Sequence, residues 1–196
     1  MQAKFDNGCW SFEPDHVHLY AFWNEAFTKE ECEKIIDVAK NKGLTTGKTV
    51  GGGTTDPSRN SDISWLNPTD NLHWVYQRLT DIIVPLNKDF FKFDLYGINE
   101  GLQFTNYKAP SGKYGKHIDR NMNMAVRKLS VSIQLTNPDE YEGGDLCIYD
   151  GDRAEKMDKK QGTLVMFPSY VLHEVTPVTK GERNSLVTWV TGPAFK

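Results

Sequence analysis

The chain has 196 residues, with 23 basic and 26 acidic side chains and a formal net charge of −3, a length that suits one domain better than two. That balance argues against non-specific attraction to nucleic acid or anionic membranes, which needs a basic surplus. A hydrophobic fraction of 38% with 12% aromatic residues excludes wholesale disorder. Three scattered cysteines (Cys9, Cys32, Cys147), no apolar leader and no run of about 18 apolar residues predict free thiols in a cytoplasmic setting, without a membrane span.

The first predicted element is a helix opening at Thr28. The run Thr28-Lys29-Glu30-Glu31 fits a capping box, in which the Thr28 hydroxyl takes an orphan amide and Glu31 reaches back. Cys32, Ile35, Ile36 and Ala39 supply an apolar face, and Gly43 a stop. The stretch 45–64 holds Gly47, Gly51, Gly52, Gly53 and Pro57 without a periodic apolar face. It reads as a long mobile loop, either a lid over a binding site or a surface connection. A second helix begins near Asn67-Pro68. Leu72, Val75, Tyr76, Leu79, Ile82, Ile83 and Leu86 recur at helical intervals, with Pro85 kinking or ending the run. From Leu102 onward the pattern changes to short β-branched and aromatic runs, predicting strands over 102–107, 129–136, 145–149, 163–167, 171–177 and 185–191. Turn signals stand between them, at Pro110-Ser111-Gly112, Asn137-Pro138-Asp139, Gly143-Gly144, Gln161-Gly162 and Lys180-Gly181. Helices followed by strands predict helices buttressing an antiparallel sandwich or barrel.

His117-Ile118-Asp119 puts an imidazole and a carboxylate two residues apart, on one face if the chain is extended there, with Ile118 turned toward packing. Alone, such a pair serves a surface ion pair as readily as a metal. A second histidine would complete a 2-His-1-carboxylate face, which occupies three corners of a ferrous ion and leaves three open. His173, after Phe167-Pro168-Ser169-Tyr170, is the best candidate. Arg183 lies ten residues later, beyond Lys180-Gly181, where a hairpin would set its strand beside that of His173. It is either an exposed turn residue pairing with Glu182 or Glu174, or a buried cation needing an anion, and its fork suits a carboxylate.

His117-x-Asp119, His173 and Arg183, in this order, resemble the iron(II)- and 2-oxoglutarate-dependent dioxygenases, and more closely the prolyl 4-hydroxylase-like branch with its PKHD-type bacterial hydroxylases. Further stretches carry the likeness, among them Leu102-Gln103-Phe104-Thr105-Asn106-Tyr107, Tyr114-Gly115-Lys116-His117, Tyr141-Glu142-Gly143-Gly144-Asp145 and Gly162-Thr163-Leu164-Val165-Met166-Phe167-Pro168-Ser169. The likeness runs from about Ala21 to Pro193 and is strongest after Gly101. It implies a mainly β fold, a double-stranded β-helix (jelly roll) core at about 101–193, with N-terminal α-helices at about 20–95 supporting it within one domain spanning 1–196. It also implies iron(II) on His117, Asp119 and His173, and 2-oxoglutarate with its distal carboxylate on Arg183 and Tyr107. Oxygen is the co-oxidant, ascorbate a reductant, and an unactivated C–H bond is hydroxylated with release of succinate and CO2. Tyr114 and Trp189 match positions that flank a substrate proline, and flat aromatic faces suit a pyrrolidine ring. Arg59 is a candidate lid residue reaching the substrate. The expected partner is a peptide or protein with an accessible proline. A free amino acid or other small molecule is the second possibility, and a non-catalytic metal-binding jelly-roll module the third.

Overall fold

The computed structural model describes residues 4–6, 9–11, 16–48, 57–119 and 126–195. Its strands in chain order are β1 (Lys4–Asp6), β2 (Cys9–Ser11), β3 (Ala21–Trp23), β4 (Thr45–Thr46), β5 (Arg59–Asn60), β6 (Asp62–Leu66), β7 (Leu102–Lys108) and β8 (Lys113–His117). They continue with β9 (Arg127–Gln134), β10 (Tyr141–Gly143), β11 (Leu146–Asp150), β12 (Arg153–Lys156), β13 (Leu164–Pro168), β14 (His173–Val175) and β15 (Val178–Thr191). Two helices, α1 (Lys29–Lys42) and α2 (His73–Leu86), lie among them.

Two antiparallel sheets make the body. The larger runs β3-β13-β9-β15-β7-β6-β4, with β10 beside β15, and the smaller runs β12-β11-β14-β8-β5. Strands of the larger sheet alternate with period two. Leu102, Phe104, Leu129, Val131, Ile133, Leu164, Met166 and Leu186 form one buried cluster with Ile35 and Ala39 of α1 and Val75, Leu79 and Ile83 of α2. The alternate positions carry Gln103, Thr105, Ser130, Ser132, Gln134 and Ser185, and they are buried too. Polar residues on a half-apolar strand ordinarily face water. Here most of them line a cavity between the sheets. Tyr107, Val165 and Phe167 of the larger sheet and Leu146, Ile148 and Val175 of the smaller close the sandwich in a second cluster.

Helix α1 starts as expected. Thr28 Oγ1 accepts from the Glu31 amide at 3.3 Å, and Glu31 Oε2 accepts from the Thr28 amide at 2.9 Å. Gly43 closes the helix at φ 99°. Glu31 also pairs with Arg78 of α2 at 3.0 Å, so the cap ties the two helices together. Thr28→Ala is expected to lower the unfolding free energy by about 1 kcal/mol, read as a reduced urea midpoint at unchanged slope.

Three expectations need correction. The stretch 45–64 is not a single loop: Thr45 and Thr46 pair with Ile63 and Asp62, Arg59 pairs with Tyr114, and β6 joins β7. Only 49–56 lies outside the described residues, and the lid assignment with it. Regular α2 begins at His73 rather than near Pro68, because Asn71 takes a left-handed φ of 60° in the preceding turn. Pro85 does stand where α2 ends, one residue before its last, Leu86. The chain does not reverse at Lys180-Gly181, since β15 runs unbroken through both residues. Gly181, at φ 71°, lets β10 approach: a Cβ there would sit 2.1 Å from the Glu140 carbonyl oxygen. Among the described residues no helix is long and apolar enough to cross a membrane.

Candidate metal centre

Strands β8 and β14 are antiparallel neighbours, and their register sets His173 directly opposite His117. The imidazole centroids are therefore 4.2 Å apart. Asp119 follows two residues after the end of β8, and its amide donates to the Ser169 carbonyl at 2.9 Å. Its carboxylate lies 3.7 Å from His117 Nε2 through Oδ1 and 3.4 Å from His173 Nε2 through Oδ2. One atom from each of the three residues lies within 4.8 Å of the others. Ile118 is 45% exposed rather than packed, because β8 ends at His117 and the chain turns out there.

The donor set suits a ferrous ion. His117 Nδ1 lies 2.7 Å from the Gly115 carbonyl and His173 Nδ1 lies 2.9 Å from that of Val171. A carbonyl only accepts, so each Nδ1 carries a proton, and Nε2 is the nitrogen that faces Asp119 and would take a metal. Burial, with the neighbouring charge on His173, lowers His117 to a pKa of about 4, so it is neutral at pH 7. Burial pulls His173 down as well, but Asp119 outweighs it and the net direction is up. Burial would raise Asp119, yet the attraction and hydrogen bond of His173, the neighbouring His117 and the Ser130 hydroxyl bring it below the usual carboxylate range. Bonds of about 2.1 Å at right angles set ligand atoms about 3 Å apart, somewhat closer than the 3.4 and 3.7 Å between Asp119 and the two imidazoles.

Arg183 comes from the other sheet. It does not share a hairpin with His173, because β15 pairs with β7 and β9 while β14 belongs to the smaller sheet. It is 1% exposed, and among the described residues no carboxylate pairs with it. Glu182 pairs instead with Lys40 at 2.7 Å, and Glu174 accepts from the Tyr149 hydroxyl. The guanidinium donates through Nη2 to Gln134 Oε1 at 2.8 Å and lies 5.4 Å from the ring of Tyr107, its cross-strand partner. Arg183 Nε, Gln134 Nε2 and the Tyr141 hydroxyl are buried without hydrogen-bond partners. Burial raises the pKa of both Tyr107 and Tyr141 against the pull of Arg183, so each keeps its proton as a donor. Gly144, at φ 61°, leaves room for this arrangement: a Cβ there would meet Arg183 Cδ at 3.0 Å. A buried cation ringed by unpaired donors is incomplete without an anion.

The remaining predicted residues gather at the mouth. Tyr114 stacks on His117 at 3.5 Å between centroids, and the Arg59 guanidinium lies 4.6 Å over Tyr114. Arg59 also donates to Gln103 Oε1 at 2.9 Å and Ser61 Oγ at 2.9 Å. Trp189 lines the cavity, with Arg127 over its ring at 3.7 Å and its Nε1 unpartnered. Reading the residues one at a time missed Gln134, Tyr141, Ser130 and Ser169. The signal for two of them lay in Leu129-Ser130-Val131-Ser132-Ile133-Gln134, whose polar half points inward.

Residues 102–191 match the family model of the 2OG-Fe(II) oxygenase superfamily. A PKHD-type hydroxylase of Prochlorococcus marinus strain NATL2A is 32% identical over 172 residues, covering 83% of this chain and 73% of that one. A Pseudomonas putida prolyl-4-hydroxylase superposes with a TM-score of 0.73 at 20% identity, covering 90% of this chain and 94% of that one. A Trichoplax adhaerens prolyl hydroxylase, in complex with a hypoxia inducible factor oxygen degradation domain peptide fragment, gives 0.74 at 18% identity, with coverage of 88% and 83%. These two structures share the jelly-roll fold. The chain belongs to the 2OG-Fe(II) oxygenase superfamily. Within it the chain is of the PKHD type, that of its Prochlorococcus relative.

Proposed function

We propose that the chain hydroxylates peptidyl proline, using iron(II), 2-oxoglutarate and oxygen and releasing succinate and CO2. The observation that carries this reading is a cavity lined by His117, Asp119 and His173, which converge within 4.8 Å, with the buried, anion-seeking Arg183 beside Tyr107 of the same lining. His117, Asp119 and His173 are the residues to hold the metal. Arg183, with Tyr107, Gln134 and Tyr141, is the group to hold the distal carboxylate of 2-oxoglutarate. When bound, the metal and 2-oxoglutarate supply the oxidative chemistry, oxygen being consumed as the cosubstrate is decarboxylated and one oxygen atom enters the C–H bond.

The side chains of this protein bind, orient and exclude water. Neutral His117 offers Nε2 without first losing a proton. Arg183 supplies the charge that draws a diacid into the sandwich, and its planar fork sets the direction of entry. Phe167 and Val175 are apolar parts of the same lining and limit water around the ligands. Tyr114 and Trp189 are the aromatic side chains of the lining that would contact a pyrrolidine ring, with Arg59 over Tyr114. Residues 1–196 act as one oxygenase unit, the helices at 20–95 supporting the core at 101–193. A free amino acid or other small molecule is the alternative substrate, since the same lining would accept one.

The test is succinate release by the purified chain with iron(II), ascorbate and 2-oxoglutarate. Stimulation by proline-containing peptides is expected, with mass gain on proline; stimulation by free amino acids alone overturns the peptide reading. Bound iron with no turnover points to a non-catalytic module. Gln134→Leu removes one donor to the carboxylate, a bond to a charged group of about 1.5–3 kcal/mol. It is expected to weaken 2-oxoglutarate binding roughly 10- to 100-fold by titration calorimetry, with metal affinity unchanged.

A further inference from the structure

We infer that Ser130, oriented by Ser169, is a positioning residue that holds the Asp119 carboxylate in a single orientation. The inference rests on the metal reading of His117, Asp119 and His173. Asp119 lies beyond the end of β8, where strand pairing no longer fixes it. Its backbone is held by the 2.9 Å bond to the Ser169 carbonyl and a 3.4 Å contact from Arg127 Nη1 to its own carbonyl. These bonds place the Cα and leave both side-chain torsions free. A ligand that swings is a poor ligand.

Ser130 supplies the missing grip. It occupies an inward position of β9, is 1% exposed, and its Oγ lies 2.7 Å from Asp119 Oδ2 and 3.0 Å from Ser169 Oγ. A hydroxyl has one proton, and an ionised carboxylate can only accept. The Ser130 proton therefore goes to Asp119, and the Ser169 hydroxyl donates to Ser130 Oγ. The chain of donors runs one way, Ser169 to Ser130 to Asp119, each bond polarising the next toward the negative charge. Ser169 is also 1% exposed, and its amide donates to the Lys128 carbonyl at 3.0 Å, which fastens it to the start of β9.

Ser169 thus engages Asp119 twice, by its carbonyl at the backbone and through Ser130 at the carboxylate. Ser130 sits in β9 and Ser169 in the turn just after β13, both strands of the larger sheet, whereas the three ligands come from the smaller sheet and its edge. The clamp spans the sandwich and couples their separation to the ligand's orientation.

The test is binding of cobalt(II) and iron(II) by calorimetry, together with the visible spectrum of the cobalt-loaded protein. It compares wild type, Ser130→Ala, Ser130→Thr, Ser169→Ala and, as control, Asp119→Ala. Ser130→Ala is expected to bind roughly 10- to 100-fold more weakly, with shifted cobalt bands and a melting temperature of the metal-free protein lowered by only several degrees, as the loss of one buried hydrogen bond to a charged group requires. Ser130→Thr keeps the hydroxyl and is expected to restore affinity and spectrum, and Ser169→Ala to fall between. Wild-type affinity and spectrum in Ser130→Ala, while Asp119→Ala does not bind, overturn this inference alone. If the wild type binds no metal, or Asp119→Ala binds equally well, the metal reading falls and takes the clamp with it. Should Ser130→Ala not fold, Ser169→Ala decides, wild-type behaviour overturning the proposal.

Discussion

Arg183→Met is expected to abolish measurable 2-oxoglutarate binding while leaving the ligand-free fold intact. Removing one member of a buried charge pair costs about 2–5 kcal/mol, about 30- to 5,000-fold in affinity. The same substitution takes away a buried cation that, among the described residues, has no anionic partner. Replacing such a charge by an apolar side chain of similar length is close to neutral for folding. The melting temperature without ligand is therefore expected to hold within a few degrees, and the upward shift caused by 2-oxoglutarate to disappear. Arg183→Lys is not expected to rescue binding, because a point charge cannot keep the bond to Gln134 and reproduce the planar fork. A 2-oxoglutarate-induced shift that survives in Arg183→Met would remove the anchor assignment.

Asp119→Ala is expected to remove metal binding and succinate production together. The variant loses the only anionic ligand of the three and leaves two neutral imidazoles at the site. The loss is expected to exceed the roughly 10- to 100-fold typical of an outer-shell partner. It is checked by iron(II) calorimetry and by succinate assay with and without peptide. Retention of full succinate production would end the metal assignment. The two experiments separate the halves of the site, since Arg183→Met is expected to keep its metal affinity and Asp119→Ala is not.

Helix α1 and the strand positions around Leu102, Leu129, Leu164 and Leu186 were legible because their signals are local. Capping at Thr28 depends on three neighbouring residues, and strand alternation on nearest neighbours. Strand β8, Lys-Tyr-Gly-Lys-His, was not legible, because two lysines and a glycine give no apolar alternation; it is a strand because β5 and β14 pair with it. The same limit explains the misplaced Arg183. Glycine after lysine reads as a reversal, but Gly181 spends its conformational freedom on the close approach of β10. Nothing within ten residues of it distinguishes the two outcomes.

Residue chemistry alone determined which side chains are able to do the work: two imidazoles, a carboxylate, a guanidinium and a set of aromatic faces, all present as short ordered motifs. Only the tertiary structure decided how they meet. The register of β8 against β14 opposes the two imidazoles, and the placement of β15 sets Arg183 in the other sheet, between β7 and β9, rather than on a strand paired with that of His173. It also turned the polar half of β9 inward, making Ser130 and Gln134 parts of the site instead of a solvated face. The physical reason is that helices cover the apolar face of the larger sheet, so its polar face is the one left to meet the second sheet. A strand's sequence specifies that its two faces differ, and the layers packed against it settle which of them is the interior.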